Sequence, residues 1–118
     1  MSVAASRTRT LPLVAVVYRV PLFVEAVTAA FDEFAWVQPL RAGDADVRGL
    51  LAVLRPDAVI VEDGTRPSLD VDVPVLHVDL ETAVVHAKRG GEWEELALEL
   101  SPEAIRNTVL RAMLERVP

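Results

Sequence analysis

The chain has 118 residues, 52% of them hydrophobic and 5% aromatic, with a net charge of −6, a pI near 4.8 and no cysteine. That length and apolar content suit one domain with a sizeable core, not a disordered chain. The acidic balance argues against a nucleic-acid surface, which needs basic charge. The lack of cysteine removes disulfide and thiolate chemistry and fits a cytoplasmic protein. No apolar run reaches membrane-spanning length, because charges or prolines interrupt each one.

Residues 1–10 are small and polar, with Arg7 and Arg9, and read as a flexible tail before a single domain over 11–118. Leu11 to Val17 is valine-rich and reads as a buried first strand, ending at Tyr18-Arg19. Pro21 suits the first turn of a helix. Over Leu22 to Phe34, the residues Phe23, Ala26, Val27, Ala30, Phe31 and Phe34 recur at helical spacing and predict one apolar face. Ala35 to Leu40 reads as a second strand. Gly43-Asp44 breaks the chain, and Asp44 or Asp46 is placed to cap a second helix that ends near Leu54. Its inner face is predicted to carry Val47, Leu50, Leu51 and Leu54.

Pro56 stops that helix. Ala58 to Val61 is an unbroken apolar run, short and β-branched, which predicts a strand buried on both faces. It ends on Glu62, Asp63 and Gly64. Thr65 to Val73 has too few spaced apolar residues for a full helix and reads as a loop. Pro74 opens a fourth strand, Val75 to Val78, ending at Asp79. Ala83 to Ala87 and Trp93 to Leu98 are strand-like runs around Gly90-Gly91, a pair that supplies the positive φ angles of a tight hairpin. Ser101-Pro102-Glu103 is a helix start: an N-cap, proline at the first position, and an acid near the positive end of the dipole. Ile105, Val109, Leu110, Met113 and Leu114 predict its buried stripe.

Strands alternating with amphipathic helices predict a three-layer α/β domain built on a parallel sheet. The predicted strand order is 2-1-3-4-5, with an antiparallel hairpin added at the far edge and a C-terminal helix. In such sheets, function gathers beyond the carboxyl ends of the strands. That places Tyr18, Arg19, Glu62, Asp63 and Asp79 in one candidate cluster. His77 reads as a core or rim histidine and His86 as a hairpin residue. They are too far apart in sequence for a metal-ligand spacing, and no HExxH, Walker loop, GxGxxG or G-x-S-x-G occurs. No cofactor, metal or catalytic residue is therefore expected.

Val16-Val17-Tyr18-Arg19-Val20-Pro21-Leu22-Phe23-Val24-Glu25-Ala26-Val27 resembles the opening of a receiver domain of bacterial two-component response regulators. Pro21, Leu22 and Glu25 match a subfamily in which an acidic pair precedes His-Pro-Leu and a glutamate-bearing helix. Leu54 to Val61 resembles the approach to the family's phosphorylated aspartate, and Ser101-Pro102-Glu103 the start of its last helix. The resemblance implies a flavodoxin-like (receiver-like) fold and a role in bacterial signalling. It also shows what is missing. Tyr18-Arg19 stand where the family's Mg²⁺-binding acids would be. Glu62 stands at the phosphoacceptor, with Asp63 one residue later. Asp79 stands near the family's Ser/Thr, and Leu98 or Glu99 near its lysine.

Phosphoryl transfer to a carboxylate needs a divalent cation to offset the repulsion between anions. The resemblance thus implies an atypical receiver-like module that is not an enzyme. It would act through a protein partner or as a homodimer, without direct nucleic-acid or membrane contact. Glu62 is placed to mimic a phosphorylated state permanently. The expected contact residues are Val84, Val85 and Trp93 on the hairpin and Arg106 and Val109 on the last helix. The alternative for Trp93 is packing over that helix. Two other readings follow from the same cluster: a small cationic or polar ligand held over Tyr18, Arg19, Glu62, Asp63 and Asp79, and residual phosphorylation of Asp63.

Overall fold

A computed structural model describes residues 11–43, 46–62, 72–89 and 92–116. The tail, Asp44, Asp63, Gly64, most of the 65–73 loop and Gly90-Gly91 lie outside the described residues. The elements run β1 (Leu13–Tyr18), α1 (Pro21–Phe31), β2 (Trp36–Arg41), α2 (Val47–Leu54), β3 (Ala58–Glu62), β4 (Val75–Asp79), β5 (Val84–Arg89), β6 (Glu92–Leu96) and α3 (Pro102–Arg116). Six strands form one mixed sheet in the order β2-β1-β3-β4-β5-β6. The first four are parallel, and β5 and β6 are antiparallel additions.

The switch from parallel to antiparallel has a simple cause. Only Leu80 to Ala83 separate β4 from β5, far too few residues for a parallel crossover. The chain must turn back. Asp79 makes that turn: its Oδ1 accepts from the Glu81 and Thr82 amides at 3.0 and 3.3 Å. This is the Asx-turn chemistry that favours aspartate at such corners.

Alternation along the strands sorts the core into two faces. Val14, Val16, Ala58, Ile60, Leu76, Val78 and Val85 pack with Phe23, Val24, Val27 and Phe31 of α1 and Ile105 and Val109 of α3. Ala15, Val17, Leu40, Val59, Val61 and Val75 pack with Leu51 of α2 on the other face. Strand β3 thus contributes to both clusters, as its unbroken apolar run predicts. The buried stripe of α1 differs from expectation. Val24 is buried and Ala26 exposed, and Phe34 lies beyond the helix, 46% exposed. The helix ends three residues earlier than its apolar periodicity suggests, so Phe34 belongs to the turn. On α2, Leu51 is buried while Leu50 is 44% exposed.

The caps follow the sequence. Asp46 accepts from the Gly49 amide at 3.1 Å, and a Cβ at Gly49 would collide with the Asp46 carboxylate. Ser101 Oγ accepts from the Ala104 amide at 3.1 Å. Both sheet edges carry residues that discourage further strand pairing. Pro39 lies in edge strand β2, and Glu92, Glu94 and Glu95 lie in edge strand β6.

A further bond holds the entry of the sheet. The Leu13 amide donates to Asp57 Oδ2 at 2.8 Å, and the Asp57 amide donates to the Leu13 carbonyl at 2.7 Å. Asp57, one residue ahead of β3, therefore sets its register against the first residue of β1. Replacing it with alanine (D57A) strands the Leu13 donor, and urea unfolding should show a loss of about 1–3 kcal/mol.

Candidate functional site

The carboxyl ends of β1, β3 and β4 bring Tyr18, Arg19, Glu62 and Asp79 to one end of the sheet, and Asp63 lies outside the described residues. Tyr18 is half-buried and packs against the core under α1 and α3. Arg19 is exposed in the β1–α1 turn. Glu62 is only 5% exposed. Its Oε1 accepts two hydrogen bonds, from the Arg19 and Val20 amides, each at 2.8 Å.

This geometry explains why a glutamate is tolerated there. Val20 caps α1 in an extended conformation, and its own side chain makes no capping bond. The turn leaves two N–H groups pointing at the sheet's end, next to the positive end of the helix dipole. An anion is favoured at that spot. Glu62 supplies one from the neighbouring strand, and the longer side chain of glutamate reaches it from the end of β3. Glu62 Oε1 is committed to the backbone amides of Arg19 and Val20.

Asp79 is likewise committed, through Oδ1, to the Glu81 and Thr82 amides. Among the described residues, no three His, Asp or Glu side chains converge as a metal-ligand set. A cavity of about 750 Å³ opens elsewhere among the described residues. It lies between α3 and β4–β6, floored by Leu76, Ala87, Leu98, Val109 and Ala112 and bordered by Asp72, Lys88, Arg111 and Glu115.

The five expected contact residues divide. Val85 and Val109 are core residues, 1% and 2% exposed, and offer no surface. Val84 is half-buried in β5. Arg106 ties α3 to α1: its Nη1 donates to the Ala30 carbonyl at 3.2 Å, and its guanidinium lies 4.8 Å from the centre of the Phe34 ring. Trp93 does not pack over the last helix. It lies on the opposite face, its ring edge-on to His77 at 6.1 Å, beside the cluster under α2. The direction follows from alternation, because Leu96 faces α3 and Trp93 is three residues earlier.

Two features were not found by sequence reasoning. One is the Asp57 clamp, whose signal is an aspartate just ahead of a buried strand. The other is a row across the outer sheet, in which His77 pairs directly with His86 and His86 directly with Glu95. No family model, curated protein or solved structure matches the chain.

The Glu62 contact predicts a graded mutational response. Glu62→Ala leaves two part-buried amides without their acceptor and should cost about 2 kcal/mol. Glu62→Gln keeps a neutral acceptor and should cost about 1 kcal/mol. The comparison is by urea unfolding with unchanged m-value.

Proposed function

We propose that this chain is an atypical receiver-like signalling module of flavodoxin-like fold. In this reading it works by protein–protein contact, as a homodimer or with a partner protein, and performs no catalysis. The observation that carries this reading is the state of Glu62. The side chain at the expected phosphoacceptor position is buried, and its Oε1 holds two backbone amides. A carboxylate used this way is a structural anion and not an exposed nucleophile. It occupies the amide pair that would otherwise favour an incoming anion, so the β1–α1 turn is held in one state permanently.

The parallel core order β2-β1-β3-β4 and the placing of α1 and α3 on one face support the receiver-like reading. The departure is the antiparallel β5–β6 pair, which takes the place of the last β-α-β unit. Large apolar side chains outside the core support a contact role. Leu22 on α1 is 73% exposed and Leu114 on α3 is 74% exposed, on two helices that pack against each other. No helix among the described residues is long and apolar enough to cross a membrane.

Incubation with Mg²⁺ and a small-molecule phosphodonor, followed by intact-mass spectrometry and light scattering, tests this. The expected result is no phosphate adduct and a constant mass of twice the 12.9 kDa chain. An adduct that changes the oligomeric mass would make the protein a working phosphorylation switch and overturn the proposal.

A further inference from the structure

The β4–β5 turn places two histidines side by side that the sequence keeps apart. His77 and His86 are directly opposed in register, so their side chains leave the same face of the sheet. Their ring centroids are 6.2 Å apart and the planes are tilted by 51°. Two imidazoles sharing one four-coordinate cation at the usual metal–nitrogen distance have ring centres about 5 Å apart. The gap is therefore near 1 Å; shifts of about 15° in χ1 of each residue, inside one rotamer well, close it, while χ2 turns a ring nitrogen toward the shared ion.

The surroundings suit a cation with a preference for nitrogen. His86 Nδ1 is buried and has no hydrogen-bond partner. Such a nitrogen is costly unless something satisfies it. Glu95 lies directly opposite His86 on β6, exposed and on the same face. Lys88 shares that face one alternation away. Its charge disfavours any cation, so the discrimination comes from the donor atoms: hard cations need several oxygen ligands, which this face does not offer among the described residues. Imidazole donors instead suit Zn²⁺, Cu²⁺ and Ni²⁺.

We infer that His77 and His86 form a two-histidine chelate for a borderline divalent metal ion, with Glu95 positioned to add a carboxylate and solvent completing the shell. The site is separate from the Glu62 end of the sheet and does not depend on the signalling proposal. It binds by rotation of the two rings, because no three ligand groups converge as the side chains stand among the described residues.

The site carries its own reporter. Trp93 lies 6.1 Å from His77, while Trp36, the other tryptophan, is in β2 at the opposite edge of the sheet. Untagged protein carrying Trp36→Phe is titrated with Cu²⁺, Ni²⁺, Zn²⁺ and Mg²⁺, following Trp93 emission and, by calorimetry, stoichiometry. The expected result is saturable one-to-one binding of Zn²⁺, Cu²⁺ and Ni²⁺, with quenching by Cu²⁺ and Ni²⁺ and no response to Mg²⁺. Binding should weaken at pH 5, where protons compete for the imidazoles.

His86→Ala should lower the Cu²⁺ affinity at least tenfold with unchanged circular dichroism. Because His77 is only 3% exposed, His77→Asn serves as a second variant, scored only if it keeps the wild-type spectrum. Absence of one-to-one binding, or equal binding in the His86→Ala protein, would overturn the assignment.

Discussion

Strand β3 is apolar along its length and acidic at both ends, and the two acids bind amides at the two ends of β1. Asp57 accepts from the Leu13 amide at the start of β1, and Glu62 accepts from Arg19 and Val20 just after its end. Between them, Ala58 to Val61 fill both faces of the core. The pair brackets the centre of the sheet. Each carboxylate binds backbone N–H groups that the strand ladder leaves over, so the polar ends of a buried strand are satisfied within the protein. Removing either acid takes away the acceptor that these amides have here. The position of α1 depends on the second bracket, because its N-terminal turn is the segment that Glu62 holds.

Much of this order was legible. Pro56, Pro21 and Ser101-Pro102-Glu103 act through local backbone chemistry, and all three stand where the helix boundaries fall. The double burial of β3 follows from its lack of alternation. What could not be read were contacts between segments distant in sequence. Nothing local to Glu62 says that its oxygen meets the turn after β1. The pairing of His77 with His86 follows only once β5 is known to run back along β4, and the brevity of the Leu80–Ala83 link is the signal for that. Trp93 was weighed as a contact residue or a cover for the last helix. Strand alternation places it on the other face, an assignment that needs the register of β6. The α1 face failed at Ala26 and Phe34 because helical spacing was continued past the point where the chain turns.

The acids at the strand ends are already engaged. Receiver-like chemistry needs carboxylates free to hold a metal ion and to accept phosphate. Here Glu62 and Asp79 each organise a turn, and β1 ends on Tyr18-Arg19 with no carboxylate of its own. The parallel core is a common α/β arrangement, and its polar end is built as a fixed support. Surface and edge chemistry point the same way as the contact reading. Strand addition is discouraged by Pro39 at one edge and three glutamates at the other, which leaves helix faces as the surfaces suited to a partner.

The central claim is that Glu62 serves as the fixed anion of the β1–α1 turn. Amide hydrogen exchange of Arg19 and Val20, measured by NMR in the wild type and in the Glu62→Gln protein, tests it most directly. The account predicts strong protection of both amides in the wild type, reduced together in the variant while the centre of β3 stays protected. Rapid exchange of Arg19 and Val20 in the wild type would contradict it, since it would mean that the carboxylate does not hold the turn.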